Sequence, residues 1–227
     1  MIKEIIDKLN PEYFRKSFLK YTIKAFKMLP KQDKPRLLDI GCGTGMPTLE
    51  LARLSNGEII GIDIDQTALD ELNEKARKKG LSDRVWTKNC SMLELNFPDE
   101  SFDIIWAEGA IAPIGFKRAL EEWGRLLKIN GFMVFHDDLR DKASKIKIIS
   151  ECGYELVNHF QLPDDAWWVE YYEPLEERIK ELRSKYNDDP KVIEAFKRYQ
   201  SEINAYKKNP KEFRSIFYIM QKTKFQK

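Results

Sequence analysis

Three glycines in close succession follow a short apolar run near residue 40, and this pattern constrains the fold more than any other. The run is Leu37-Leu38-Asp39-Ile40, and the glycines are Gly41, Gly43 and Gly45. Glycine lets a backbone turn tightly and lets a ligand approach atoms that a Cβ would cover. A helix is predicted next, with Pro47 near its first turn. A strand, a tight loop and a helix in this order are typical of a nucleoside or nucleotide site.

Short apolar runs alternate with amphipathic helices along most of the remaining chain. The predicted strands are 37–40, 58–63, 84–89, 102–107, 132–135, 154–162 and 215–221. Asn130-Gly131 is interpreted as the helix stop before the fifth strand. Such alternation indicates a parallel sheet covered by helices on both faces. The predicted fold is therefore α/β, with a seven-stranded, mostly parallel, Rossmann-like sheet.

Two segments lie outside this alternation. Residues 1–30 are predicted to be N-terminal helices, one of which begins at Asn10-Pro11. Residues 163–213 are predicted to be a helical cap inserted between the last two strands, because apolar residues recur there at helical spacing. The Rossmann-like core is assigned to residues 35–162 and 214–222. We expect the 227 residues to form a single domain.

Composition and charge indicate where the protein is located and which classes of partner it can bind. A formal net charge of +2 provides no strong field that would attract nucleic acid or an anionic membrane. Cys42, Cys90 and Cys152 are widely spaced, which fits neither a disulfide framework nor a metal site. The amino terminus mixes charged with apolar residues, unlike a signal peptide or a transmembrane helix. We expect a cytoplasmic protein without membrane insertion or bound metal, and homodimer formation is left open.

Asp39 separates the classes of cofactor that a glycine loop can hold. A dinucleotide-binding loop would place its third glycine at position 46, which is Met46. Asp39, two residues before Gly41, would also repel an anionic pyrophosphate. The amino-acid end of S-adenosylmethionine carries an ammonium beside a sulfonium and suits a carboxylate. This pattern favours S-adenosylmethionine and disfavours a nicotinamide oxidoreductase.

The segment from Asp39 to Gly45 resembles motif I of class I S-adenosylmethionine-dependent methyltransferases. Asp63 ends the second predicted strand about 20 residues later, where a carboxylate can accept both ribose hydroxyls. Asp65 is the better candidate for capping the next helix. Cys90-Ser91-Met92 resembles the adenine-binding Gly-Asp-Ala of the family, with Ser91 in place of the usual Asp. Within this family the likeness is nearest to the ubiquinone and menaquinone-biosynthesis type and its small-molecule relatives.

The resemblance implies a set of residues that bind the cofactor. These are Asp39, Gly41, Cys42, Gly43, Thr44, Gly45, Asp63, Ile64, Ser91, Met92 and Glu108. Methyl transfer from a sulfonium is an in-line displacement with an activated leaving group, so no universal catalytic residue is required. The chemistry then depends on the residues that face the acceptor.

Four residues are predicted to contribute to catalysis: Glu108, His136, Trp167 and Tyr171. Glu108 and His136 follow predicted strands, at the edge of the sheet where ligands bind. His136 is weighed as a base against a strand-end hydrogen-bonding role. The two aromatic residues begin the cap, and lining a pocket is weighed against packing. Asp137-Asp138 is disfavoured as a metal site because no further ligands accompany it.

The acceptor is predicted to be a small molecule. Enzymes that methylate exocyclic amines of nucleic acids keep an Asn-Pro-Pro-Tyr or Asp-Pro-Pro-Tyr sequence after strand four, and this chain has Glu108-Gly109-Ala110-Ile111 there. No Pro-Cys pair provides the nucleophile of a pyrimidine C5 enzyme. The alternatives are a non-catalytic sensor or scaffold that binds the cofactor, and an RNA or protein methyltransferase.

Overall fold

The computed structural model describes residues 2–186 and 189–223. Its strands are β1 Arg36–Ile40, β2 Glu58–Asp63, β3 Val85–Asn89, β4 Phe102–Glu108, β5 Leu127–Asp138, β6 Tyr154–Gln161 and β7 Ser215–Lys222. Its α-helices are α1 Ile2–Leu9, α2 Pro11–Arg15, α3 Leu19–Lys27, α4 Met46–Ser55, α5 Gln66–Lys78, α6 Phe116–Trp123, α7 Lys142–Glu151, α8 Glu173–Lys185 and α9 Pro190–Lys208. A π-helix, Trp168–Tyr172, precedes α8.

The strands form one sheet in the order β3-β2-β1-β4-β5-β7-β6. The neighbouring pairs from β3 to β5 are all parallel. β6 and β7 are antiparallel, because Leu162 N donates to Ser215 O at one end and Thr223 N donates to Gly153 O at the other. The predicted fold class, including the helical insertion before the last strand, is confirmed. β1 and β4 are adjacent although β2 and β3 intervene in sequence, which makes their carboxyl ends a topological switch point.

Helices pack on the sheet through residues at helical spacing. On α5 the buried side chains are Leu69, Leu72 and Ala76, which lie on one face of the helix. Asp65 caps this helix, since its Oδ1 accepts from Thr67 N at 2.9 Å and from Ala68 N at 3.3 Å. The predicted position of Asp65 at the N-terminus of this helix is confirmed. Within the described residues, no helix combines the length and the apolar character needed to cross a bilayer.

The chain divides into two compact units. The helical unit contains the chain up to Lys20 together with Gln161–Ser215, and the sheet unit contains Tyr21–Phe160 with the segment from Ile216 onward. In the helical unit, Ile5 and Leu9 of α1 share an apolar cluster with residues of α8 and α9. The residues predicted as N-terminal helices therefore belong to both units, since α3 from Tyr21 onward is part of the sheet unit. The assignment of the chain to a single domain with a cap stays a prediction.

The start of β5 differs from the sequence interpretation. The last helical turn ends at Leu126, and Asn130-Gly131 lies inside the strand and does not stop the helix. Register pairs join Phe102 with Leu127 and Ile104 with Phe132, so one residue of β4 faces four residues of β5. Asn130 takes a φ of 64°, a left-handed conformation that asparagine tolerates, and this accommodates the extra residues.

Candidate cofactor site

The glycine loop joins β1 to α4, and its glycines have different tasks. All three have positive φ: 72° at Gly41, 51° at Gly43 and 80° at Gly45. A Cβ on Gly41 would lie 2.5 Å from Ala110 Cβ, and one on Gly45 would lie 2.1 Å from Leu72 Cδ1. A Cβ on Gly43 would meet no atom within 4 Å. Gly41 and Gly45 therefore permit close packing, whereas the backbone of Gly43 faces open space.

Asp63 ties this loop to the end of β2. Its Oδ2 accepts a hydrogen bond from Gly43 N at 2.8 Å, and its Oδ1 accepts one from Asp65 N at 3.0 Å. Ile64 follows directly and is 75% exposed, which is unusual for a large aliphatic side chain. The glycine loop and the strand-two carboxylate thus meet at one place, with an apolar surface beside them.

Asp39 is buried at the end of β1. Thr48 Oγ1 of α4 donates a 2.6 Å hydrogen bond to its Oδ2. Burial raises the pKa of Asp39 to about 6, and the negative charge of Asp63 adds to the rise while the Thr48 hydrogen bond opposes it. The neighbouring Cys42 is buried, and burial raises the pKa of its thiol, so the thiol is neutral. Thr44 contributes its carbonyl oxygen, which accepts from Lys75 Nζ at 3.2 Å.

The loop after β3 is held by side chains from the far end of α6. Trp123 Nε1 donates to Met92 O at 3.1 Å, and Arg125 donates to the carbonyl oxygens of Leu95 and Phe97. Ser91 Oγ accepts from Leu93 N at 3.2 Å. The two predicted adenine-contacting residues, Ser91 and Met92, therefore lie on a fixed loop.

Glu108 ends β4 and is held by two hydrogen-bond donors. Its Oε1 accepts from Trp106 Nε1 at 2.7 Å and from Thr22 Oγ1 of α3 at 2.9 Å. Burial raises the pKa of Glu108 to about 7; the two hydrogen bonds oppose this rise, and the charge of Asp39 adds to it. The sequence reasoning missed Thr22, whose only signal is a polar residue on the buried side of α3, three positions before Ala25.

His136 lies next to Glu108 in the sheet, since the two residues are register partners on β5 and β4. The imidazole is buried and stacks on Phe217 with a centroid distance of 4.5 Å. Burial lowers the pKa of His136 to about 4, so the ring is neutral at neutral pH. Asp137 pairs with Lys145 at 2.7 Å. No group of three or more candidate metal ligands occurs in the part of the chain that the structure describes.

The predicted aromatic residues belong to the helical unit. Tyr171 is buried within its apolar cluster, on the π-helix. Trp167 is partly buried, its ring lies 4.5 Å from that of Phe18, and its Nε1 donates to Ser215 Oγ at 3.2 Å. Both residues make packing contacts inside the unit, and their role in catalysis stays a prediction.

Comparison with known proteins adds evidence on the sheet unit. A family profile described as a methyltransferase domain matches residues 37–131. The matched segment covers less than half of the chain and is similar to a methyltransferase domain. This segment contains all the predicted cofactor-binding residues from Asp39 to Glu108. His136, Trp167 and Tyr171 lie beyond the matched segment.

One relative and two solved structures illustrate the likeness. The 27-O-demethylrifamycin SV methyltransferase of Amycolatopsis mediterranei is 40% identical over 80 residues, which cover 35% of this chain and 29% of that protein. The methyltransferase of Geobacter sulfurreducens solved with S-adenosyl-L-homocysteine has a TM-score of 0.70 at 18% identity, covering 91% of this chain and 89% of that one. The [4+2]-cyclase SpnF has a TM-score of 0.72 at 22% identity, covering 90% and 80%.

These likenesses differ in what they show. The two solved structures are below one quarter identity and show the fold alone. The chain spans about half the length or less of the curated relatives it matches, from 29% to 51%. The finer resemblance to the ubiquinone and menaquinone-biosynthesis type stays a prediction.

Proposed function

We propose that this protein transfers a methyl group from S-adenosylmethionine to a small-molecule acceptor. The observation that carries the proposal is the 2.8 Å hydrogen bond from Gly43 N to Asp63 Oδ2. It places the glycine loop and the strand-two carboxylate together at the carboxyl ends of β1 and β2, where open α/β sheets bind ligands. The match to a methyltransferase domain supports the same activity.

The residues at this place fit the proposed cofactor. The uncovered backbone at Gly43 leaves room for a ligand to touch the loop. Each carboxylate oxygen of Asp63 accepts one hydrogen bond within the protein and has a further lone pair, so a ribose diol can bind there. The exposed side chain of Ile64 would pack against the adenine ring. Asp39 would provide negative charge near the cationic amino-acid end.

The bound cofactor supplies a methyl group already activated on a sulfonium. The protein then has to align the acceptor and exclude water. Where the acceptor carries a proton at its nucleophilic atom, a base with a pKa near the working pH is most effective. Glu108, with its pKa raised to about 7, meets this requirement better than His136, with its pKa lowered to about 4. We therefore assign the proton-accepting role to Glu108.

Two observations support a small-molecule acceptor. The relative that matches residues of this domain at 40% identity is named for methylating a demethylrifamycin. The formal net charge of +2 provides little general attraction for nucleic acid. A cytoplasmic location is part of the same proposal, because Cys42, Cys90 and Cys152 are free thiols, as expected in a reducing compartment.

Calorimetric titration with S-adenosylmethionine and, separately, with NAD tests the cofactor. We expect binding of the first and none of the second, and the reverse result would overturn the proposal. Transfer of a labelled methyl group to a panel of metabolites, RNA and proteins then tests the acceptor. Binding without transfer to any member would favour the sensor, and transfer to RNA or protein alone would contradict a small-molecule acceptor.

A further inference from the structure

Two carboxyl groups, one buried and one partly buried, flank the topological switch point of the sheet. Asp39 belongs to β1 and Glu108 to β4, and the register pairs Asp39 with Trp106, two residues before Glu108. The loop after Glu108 packs against the glycine loop, because Ala110 Cβ occupies the space that a side chain on Gly41 would need. A ligand bound against the glycine loop in this crevice would therefore lie near both carboxyls.

We propose that Glu108, held by Thr22 and Trp106 and coupled to Asp39, is the residue that makes this site select a positively charged methyl donor over its neutral product. This inference rests on the proposed function. S-adenosylmethionine carries a sulfonium, whereas S-adenosylhomocysteine has a neutral thioether at the same position. Apart from the methyl group itself, the two ligands differ only in this charge, which a nearby acidic side chain can distinguish.

The physical basis is the repulsion between two carboxylates that share a buried region. Burial and the neighbouring negative charge both favour the protonated form of Glu108, so the free protein holds a proton there for part of the time near neutral pH. A sulfonium in the crevice favours the carboxylate, and the proton passes to the solvent. A thioether provides no such charge, so the proton stays.

Other charged or titratable groups around Glu108 do not replace it in this role. His136, its register partner, is neutral because burial lowers its pKa to about 4. On α3, the Lys24 ammonium lies over the ring of Phe160, 4.1 Å from its centroid. Asp63 acts on Asp39, whose pKa it raises, and Asp63 itself is held by Gly43 and Asp65. Of the two carboxyls with a raised pKa, Asp39 at about 6 and Glu108 at about 7, Glu108 is the one nearer to neutrality.

The arrangement also links donor binding to the proton-accepting role. When the cationic donor binds, Glu108 becomes a carboxylate and so becomes able to accept a proton from the acceptor. After transfer the sulfur is neutral, and the acceptor's proton can remain on Glu108. The site then returns to the charge state of the free protein as the product leaves.

Calorimetry in two buffers that differ in ionisation enthalpy counts the protons released on binding. With the full chain between pH 6 and 8, we expect release with S-adenosylmethionine and much less with S-adenosylhomocysteine. The ratio of the two affinities should rise with pH by up to about tenfold per unit below the pKa of Glu108, and level off above it. Between pH 7 and 8, where Asp39 with its pKa of about 6 is largely ionised, Glu108→Gln should remove most of the release and make the ratio nearly independent of pH, whereas the matched exposed variant Glu121→Gln should retain both.

Thr22→Val tests the positioning role, because it removes a hydrogen bond that favours the carboxylate. The pH at which the affinity ratio levels off should move upward, which a merely structural contact would not cause. It also provides a second test should Glu108→Gln fail to fold. Equal proton release with both ligands, or a pH-dependent ratio that survives in Glu108→Gln, would overturn the inference while leaving the cofactor assignment intact. Failure to bind either ligand would instead overturn the proposed function.

Discussion

Gly43 and Asp63 are 20 positions apart in sequence, and the backbone nitrogen of the first donates a 2.8 Å hydrogen bond to the carboxylate of the second. The bond spans the carboxyl ends of β1 and β2, which are parallel neighbours. It fixes the orientation of the carboxylate relative to the loop before any ligand arrives. Such preorganisation lowers the entropic cost of binding.

The first prediction concerns Asp63. Asp63→Ala should weaken S-adenosylmethionine binding by at least about tenfold, since each of the two ribose hydrogen bonds to this charged group would contribute about 1.5–3 kcal/mol. The matched control is Asp65→Ala, which removes the same charge two residues away. It should cost about 1 kcal/mol of stability as a lost helix cap and leave affinity within about threefold. Parental affinity in Asp63→Ala, measured by calorimetry, would show that the strand-two assignment is wrong.

The second prediction concerns Gly43. Gly43→Val should leave a folded protein that no longer binds the cofactor, because the new side chain would occupy the space in front of the loop. Gly80→Val is the matched control, since Gly80 also has positive φ, 66°, with no atom within 4 Å of a built Cβ. Both variants should lose about 1–3 kcal/mol of stability through backbone strain. If circular dichroism shows that both variants are folded and both bind the cofactor equally well, the cofactor does not bind at the glycine loop.

Periodicity and turn chemistry predicted most of the sheet unit. The strand sequences around Leu38 and Ile60 are short and apolar because both faces of the sheet are covered, and this pattern can be recognised in the sequence alone. The start of β5 was missed because Asn130-Gly131 has the composition of a helix stop, and only the pairing of Leu127 with Phe102 shows that the strand has already begun.

The candidate site was predictable where one short segment carries the pattern, as in the glycine loop and Asp63. The hydrogen-bond partners of the site residues could not be predicted. Thr22 reaches Glu108 from 86 positions away, and Thr48 reaches Asp39 from the following helix. Contacts of this kind depend on how elements pack, and a single sequence contains no signal for them.

The third prediction compares two buried tyrosines. Among the described residues, the Tyr218 hydroxyl has no hydrogen-bond partner, whereas Tyr154 donates to Leu120 O at 3.0 Å. Tyr218→Phe should therefore leave stability unchanged or raise it by up to about 1 kcal/mol, and Tyr154→Phe should lower it by about 0.5–1.5 kcal/mol. Urea unfolding of both variants provides the measurement. A clear loss of stability in Tyr218→Phe would mean that its hydroxyl has a partner, such as a buried water.

The last prediction concerns Trp167, which the sequence placed over the acceptor and whose contacts in the helical unit are those of a packing residue. Its ring lies against Phe18, with Tyr171 and Tyr172 at centroid distances of 6.1 Å, and its Nε1 donates to Ser215. Trp167→Ala should lower the free energy of unfolding by about 2–4 kcal/mol, less than the loss of a fully buried tryptophan would cost. It should leave the affinity for S-adenosylmethionine unchanged below the unfolding temperature.

Trp86→Ala is the control for Trp167, because Trp86 is 42% exposed on β3 and should cost much less stability. Urea unfolding and cofactor titration of the parent protein and the two variants distinguish a packing role from a role in acceptor binding. Turnover can be measured as well once an acceptor is known. A Trp167→Ala protein that is as stable as its parent but turns over more slowly would contradict the packing role. That result would assign the tryptophan to the acceptor after all.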